Sequence, residues 1–91
     1  MDETPPGMFV VTLEAVEAGA PAPLTILAFA AGNDEEAARA VAVADLENQG
    51  WREIAVLRTA EVIDLPALPE DFRAAYETAL KWGCALIIYD P

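Results

Sequence analysis

Histidine and serine are both absent from this chain of 91 residues, and cysteine occurs only once. Histidine is the side chain that titrates near neutral pH and the usual nitrogen ligand of zinc, copper and iron. Without serine and histidine there is no Ser-His-Asp triad, and Cys84 has no imidazole to activate its thiol. We therefore expect no bound metal and no cofactor, and we favour a binding function over an enzymatic one.

Basic residues are also scarce. Lysine and arginine together number five, aspartate and glutamate together number sixteen, and the net charge is −11. Binding to a nucleic-acid backbone requires clustered basic side chains, and an anionic membrane surface attracts them too. We expect neither kind of partner. A basic protein remains an electrostatically allowed partner.

The single cysteine cannot form an internal disulfide, which fits a reducing compartment. The acidic, proline-containing start of the chain does not resemble a signal peptide. The longest uncharged stretch, residues 18–33, is too short and too interrupted by glycine and proline for a membrane-spanning helix. The sequence therefore predicts a cytoplasmic protein, with a flexible leader at residues 1–7 and a single α/β domain at residues 8–91.

The hydrophobic pattern predicts the order β-β-α-β-α-β. Apolar alternation marks the strands, whereas helical spacing of apolar residues, with glycine after each helix, marks the helices. The strands are predicted at 8–17, 24–31, 51–64 and 84–89, and the helices run from Asn33 to Gly50 and from Pro69 to Gly83.

These elements predict an α+β fold with one mixed four-stranded sheet and two helices. The segments 24–31 and 84–89 are apolar on both faces and are expected inside the sheet, with 8–17 and 51–64 nearer its edges. If residues 51–64 fold back near Arg58, the order becomes ferredoxin-like βαββαβ with an extra N-terminal strand. No turn residue marks that point, so this alternative ranks second.

Asp34, Glu35 and Glu36 begin the first helix and could be considered as cation ligands. Consecutive helical residues point about 100° apart, so these three carboxylates cannot converge on one ion. Their place at the positive end of the helix dipole already explains them. The thiol of Cys84 is likewise interpreted as a small buried apolar group.

A set of acidic and aromatic residues remains as candidates for binding a partner protein. Acids on the first helix would attract a basic partner, and the two tryptophans, each next to a glycine at a helix end, would serve either as core anchors or as interface residues. These candidates are Asp34, Glu35, Glu36, Asp45, Glu47, Trp51 and Trp82.

Two functions of different classes follow. The first is a small acidic interaction module that forms a two-fold homodimer or neutralises a basic partner, as an inhibitor or antitoxin does. A homodimer is expected because two helices cannot cover all of the apolar sheet surface. The alternative is a small-molecule-binding domain, or an enzyme based on carboxylates and tyrosine, with a pocket between helices and sheet.

Overall fold

A computed structural model describes residues 7–63 and 67–89 of the chain. The predicted fold class is confirmed, because one four-stranded sheet and two helices follow each other in the order β-β-α-β-α-β. The predicted leader lies outside the described residues except for Gly7, which is the first residue of a strand. The elements are β1 (Gly7–Val16), β2 (Leu24–Gly32), α1 (Glu35–Asn48), β3 (Arg52–Glu61), α2 (Glu70–Trp82) and β4 (Cys84–Tyr89).

The strand order in the sheet is β3-β1-β2-β4, and each neighbouring pair is antiparallel. The sheet is therefore antiparallel and not mixed as predicted. The crossover through α1 joins β2 to β3, which run parallel, but β1 lies between them and pairs with both. The predicted positions of two strands are also corrected: β1 is central and β4 lies at an edge.

The ferredoxin-like alternative is wrong, because residues 52–61 form one strand. Arg58 and Thr59 stay paired with Thr12 and Val11 of β1, so the chain does not turn there. The pairing instead shifts register at two places, between Thr12 and Leu13 and between Glu14 and Val16. Such shifts bend and twist a strand without ending it.

The two helices pack on opposite faces of the sheet. Helix α1 covers one face through Ala38, Ala42 and Leu46, and Trp51 packs in the same layer. The strand residues on this face include alternate residues of β1. The buried strand residues are Phe9, Val11, Leu13, Ala15, Ile26, Ala28 and Ala30.

Helix α2 covers a smaller area of the other face. Ala75 and Ala79 are buried against Met8 and Phe29, and the ring of Phe29 meets the ring of Phe72 edge-on at 5.7 Å. Helical spacing in the sequence groups Leu80 with Phe72, Ala75, Tyr76 and Ala79 in one apolar stripe, but Leu80 is exposed. It lies about 100° around the helix from Ala79 and therefore leaves the sheet-facing side.

Helix α1 begins one residue later than predicted. Asp34, and not Asn33, is the N-cap residue, and its carboxylate accepts a 2.8 Å hydrogen bond from the backbone N–H of Ala37. Helix α2 ends at Gly83, which has the left-handed conformation that favours glycine. None of the helices in the described ranges is both long and apolar enough to cross a membrane.

Candidate functional site

The acids predicted to bind a partner are partly used within α1. Asp34 caps the helix, and Glu35 lies 3.8 Å from the guanidinium of Arg39 one turn later. Both acids also lie near the positive end of the helix dipole, which favours carboxylates. Glu36 and Glu47 are exposed on the same helix. Contacts within the helix thus account for Asp34 and Glu35, whereas Glu36 and Glu47 face solvent.

Asp45 faces Cys84 across the gap between α1 and β4. Burial raises the pKa of the Cys84 thiol to about 12, and the Asp45 carboxylate adds to the shift through its charge and as a hydrogen-bond acceptor. A thiol with such a pKa is neutral at physiological pH and is a poor nucleophile. This environment supports the interpretation of Cys84 as a small packing residue.

The two tryptophans have opposite environments. Trp51 is only 5% exposed and packs in the α1-side core, so its ring has the anchoring role. Trp82 is 73% exposed at the end of α2, where the Lys81 ammonium lies 5.9 Å from the centre of its ring. Of this pair, only Trp82 has a ring that is accessible from solvent.

A cavity of about 390 Å³ opens between the β1–β2 hairpin loop and the start of β3. Glu14, Arg52 and Glu53 supply its ionisable groups, and all three side chains are exposed. No residue of α1 or α2 lines this cavity, so it is not the pocket between helices and sheet that the alternative function would use. Within residues 7–63 and 67–89, no three of the histidine, cysteine, aspartate and glutamate side chains form a group that could hold a metal ion.

The two strands at the sheet edges differ in how they meet solvent. The β3 edge is the unpaired side of Arg52–Glu61. This strand carries four charged residues, and its pairing with β1 contains both register shifts. Glu53 has a φ of +50°, which is unusual for a residue other than glycine. Charges and bulges are the features by which natural proteins prevent an edge strand from pairing with another chain. The β3 edge is protected in this way.

The β4 edge, the unpaired side of Cys84–Tyr89, has none of these features. Its six residues are uncharged, and its register with β2 runs from Thr25 to Ala30 without a shift. Proline is absent from this strand as well. A regular, uncharged edge strand is a template for pairing with another strand.

The backbone groups available at the β4 edge follow from one hydrogen bond. The N–H of Ala31 donates to the carbonyl of Gly83 at 3.0 Å, in the same register as the pair Ala30 and Cys84. Hydrogen-bonded and non-hydrogen-bonded pairs alternate along an antiparallel ladder. The backbone groups of Ala85, Ile87 and Tyr89 therefore point toward β2. Those that point away from the sheet belong to Cys84, Leu86 and Ile88.

Exposed apolar side chains surround this edge. Ile88 and Tyr89 are 43% and 44% exposed at one end of β4, and Trp82 precedes the other end. The sequence does not reveal this site, because an uninterrupted apolar strand is typical of a sheet interior. The contrast between charged residues 52–61 and uncharged residues 84–89 was the available signal.

Comparison with known proteins identifies no relative: no family model, no curated protein and no solved structure matches the chain.

Proposed function

We propose that the protein is a non-enzymatic interaction module that binds an extended protein segment by adding it as a strand to the β4 edge. The difference between the two sheet edges carries this proposal. One edge has the charges and bulges that prevent pairing, and the other leaves the N–H and C=O groups of Cys84, Leu86 and Ile88 unpaired by any described strand. Strand addition uses such main-chain groups for affinity and the alternating side chains for specificity.

A protein partner fits this surface better than a small molecule does. Trp82 lies just before β4, and Ile88 and Tyr89 lie at its other end, so these exposed side chains are spread along a strand. Exposed aromatic and branched apolar residues are typical of protein interfaces. The cavity beside Glu14 is formed mainly by a loop and the protected strand, at the opposite edge of the sheet. A cytoplasmic location belongs to the same proposal, because a single cysteine fits a reducing compartment.

A generic strand peptide tests the proposal without knowledge of the natural partner. The probe is a hexapeptide of alternating valine and threonine with lysines at both ends, added in excess to the ¹⁵N-labelled protein. We expect the largest chemical-shift changes at the amides of Cys84, Leu86 and Ile88, because their N–H groups point outward. Amides of the β3 edge should change little, because its bulges interrupt a regular ladder.

The matched control is the same peptide with alternate backbone nitrogens methylated. This peptide keeps the charge and the side chains but loses the hydrogen bonds that a β-ladder requires. We expect it not to shift the three amides. Equal shifts with both peptides would mean that the lysines bind the acidic surface, and they would overturn the proposal of strand addition. No shift with either peptide under conditions where the protein is monomeric would also overturn it.

A further inference from the structure

We propose that the strand bound at the β4 edge is β4 of a second copy of this chain, antiparallel across a two-fold axis at Leu86, so that two sheets become one of eight strands. This inference rests on the proposed function and names its partner. A two-fold axis perpendicular to a sheet brings identical edge strands together in an antiparallel pair. The contact is self-complementary because each copy presents the same six residues.

The distribution of charge favours a second copy at this edge over a basic partner. Each chain carries a net charge of −11, so two copies repel each other over most of their surface. β4 contributes no charge to the contact, whereas pairing at the β3 edge would take four charged residues out of water, Arg52, Glu53, Arg58 and Glu61, at a cost in desolvation. A basic partner would instead require acids along the strand that it meets. The uncharged β4 edge is where two acidic molecules approach with least repulsion.

The alternation of backbone groups selects the register. With the axis at Leu86, Cys84 faces Ile88 of the second copy and Leu86 faces Leu86, so all three outward residues form hydrogen-bonded pairs. Each copy then donates three N–H groups to the other. With the axis at Ile87, only Leu86 and Ile88 pair among the three outward residues of β4, because Cys84 would face a residue beyond the end of the described strand. The register centred on Leu86 therefore satisfies the most backbone groups.

The side chains agree with this register. Tyr89 lies opposite Gly83 of the second copy, on the face of the sheet where α2 packs. A side chain built at Gly83 would meet no atom of the described chain within 4 Å, so the position has room for a neighbouring ring. Aromatic residues placed across from glycine in sheets cover the bare backbone. Trp82 precedes Gly83 and would contact the same Tyr89, which explains why both rings are exposed in a single chain.

A pair of lysine substitutions tests the interface. Ile88→Lys places a charge on the β4 edge, and Val56→Lys places one on the β3 edge. The two residues are similarly exposed, 43% and 38%, and both lie on the face that α1 covers. Sedimentation equilibrium at 150 mM salt should give twice the 9.7 kDa chain mass for the wild type and for Val56→Lys. For Ile88→Lys we expect the dissociation constant to rise about tenfold or more, because the interface would bury an unpaired ammonium.

The positive sign of the introduced charge separates a local effect at the β4 edge from a general change in repulsion between the two copies. Each lysine lowers the net negative charge, which by itself would favour association. Loss of the dimer only in Ile88→Lys therefore cannot come from general repulsion. Circular dichroism and thermal melting of both variants show whether each has folded. Ile88→Thr, which keeps a branched side chain without a charge, provides a milder variant should the lysine disturb the fold.

Two residue-level measurements test the register. Amide hydrogen exchange at Cys84, Leu86 and Ile88 should slow in the dimer and quicken on dilution or in Ile88→Lys. Disulfide formation in a mixture of Ala85→Cys and Ile87→Cys, both carrying Cys84→Ser, should favour the mixed dimer. These residues would form a non-hydrogen-bonded pair with Cα atoms about 4.5 Å apart, within disulfide reach. Predominance of either like-with-like disulfide would overturn the register.

The outcomes separate this inference from the function on which it rests. A wild-type chain that stays monomeric at tens of micromolar overturns the second copy as the occupant, while the valine-threonine peptide still tests strand addition. A dimer that survives Ile88→Lys with fast exchange at the three outward amides also overturns the inference, because the interface would lie elsewhere. A β4-dependent dimer that binds no peptide supports the inference, because the second copy then already occupies the β4 edge.

Discussion

The backbone N–H of Trp51 donates a 3.0 Å hydrogen bond to the carbonyl of Leu46, and the N–H of Gly50 donates to Glu47 at 3.1 Å. Together these bonds form the Schellman arrangement that ends a helix. Gly50 has a φ of +91°, which allows the chain to reverse there. Because Trp51 and Leu46 are buried in the same core, the helix end also fixes where β3 begins.

The first prediction is that Gly50→Ala lowers the free energy of unfolding by about 1 kcal/mol, because a side chain is strained at this positive φ. Gln49→Ala is the control, since Gln49 is exposed and has a φ of −91°. We expect it to change stability by less than about 0.5 kcal/mol. Urea unfolding followed by Trp fluorescence measures both. Equal losses would show that the conformation of Gly50 is not what holds the helix end.

The second prediction compares two glycines that face each other across β1 and β2. A Cβ at Gly32 would lie 2.8 Å from the backbone nitrogen of Ala38, whereas at Gly7 it would approach only side-chain atoms of Glu61 and Phe9, at 3.2 Å. Backbone atoms of a helix cannot move aside as a side chain does. We expect Gly32→Ala to cost about 1–3 kcal/mol of unfolding free energy, and Gly7→Ala clearly less.

Thermal and urea unfolding of the two alanine variants decide this comparison. A tolerated Gly32→Ala would mean that α1 does not approach β2 as closely as the structure has it. Both substitutions make the same chemical change on paired strands, so differences in the unfolded chain largely cancel.

The sequence predicts the elements of this fold better than their arrangement. Glycine at positions 50 and 83 predicts both helix ends, because the conformation after a helix strongly favours it. Ala38, Ala42 and Leu46 are the buried residues of α1, but Val43 points elsewhere, so the sequence pattern alone left the buried side of this helix open. The order of strands depends instead on long-range pairing, which local periodicity does not encode. Because residues 84–89 are apolar on both faces, they were expected inside the sheet. The chain instead crosses from β3 through α2 to the far side of β2, so β4 lies at the edge.

The candidate site escaped prediction for a related reason. Whether the N–H of Leu86 points to a neighbour or to solvent depends on which strands lie beside it, not on its side chain. Trp82 was among the predicted partner residues and is exposed, while Trp51, predicted with it, lies in the core. The two have the same local context, a glycine beside a helix end, so the sequence does not distinguish them.

The third prediction concerns Thr59, whose hydroxyl oxygen is buried without a hydrogen-bond partner in the described part of the chain. Valine has nearly the same shape but no polar group that must be desolvated. We expect Thr59→Val to raise the free energy of unfolding by about 1 kcal/mol. Thr25→Val, at an exposed position of β2, is the matched control and should be close to neutral. A loss of stability in Thr59→Val alone would show that the hydroxyl has a partner.

The fourth prediction follows from the thiol of Cys84, whose pKa is raised from 9.0 to about 12 by burial and by Asp45. The unfolded chain loses this proton first as the pH rises, so it binds fewer protons than the native state above pH 9. The stability that Cys84 contributes is therefore complete below pH 9 and is lost between pH 9 and about 12. Cys84→Ala should remove this part of the pH dependence.

The measurement is urea unfolding of both proteins in reducing buffer from pH 7 to pH 11. The difference between wild type and Cys84→Ala isolates the thiol, because the other titrating groups are common to both. Parallel curves over the whole range would show that the thiol ionises equally in the native and unfolded chains. Asp45→Asn should give an intermediate result, because it removes the charge but not the burial.

The last prediction concerns the excess of acids. Sixteen acidic and five basic residues give the folded chain a net charge of −11, and repulsion within a compact molecule exceeds repulsion in an expanded one. Partial protonation or added salt weakens this repulsion. We therefore expect the melting temperature in low salt to be at least as high at pH 5.5 as at pH 8. Added sodium chloride at pH 8 should raise it, and the same salt at pH 5.5 should raise it less.

The described range contains one ion pair, Arg39 with Glu35, and it is exposed, so it offers little stability to lose on acidification. A clear fall in melting temperature at pH 5.5 would mean that carboxylates stabilise the native state by more than their mutual repulsion destabilises it.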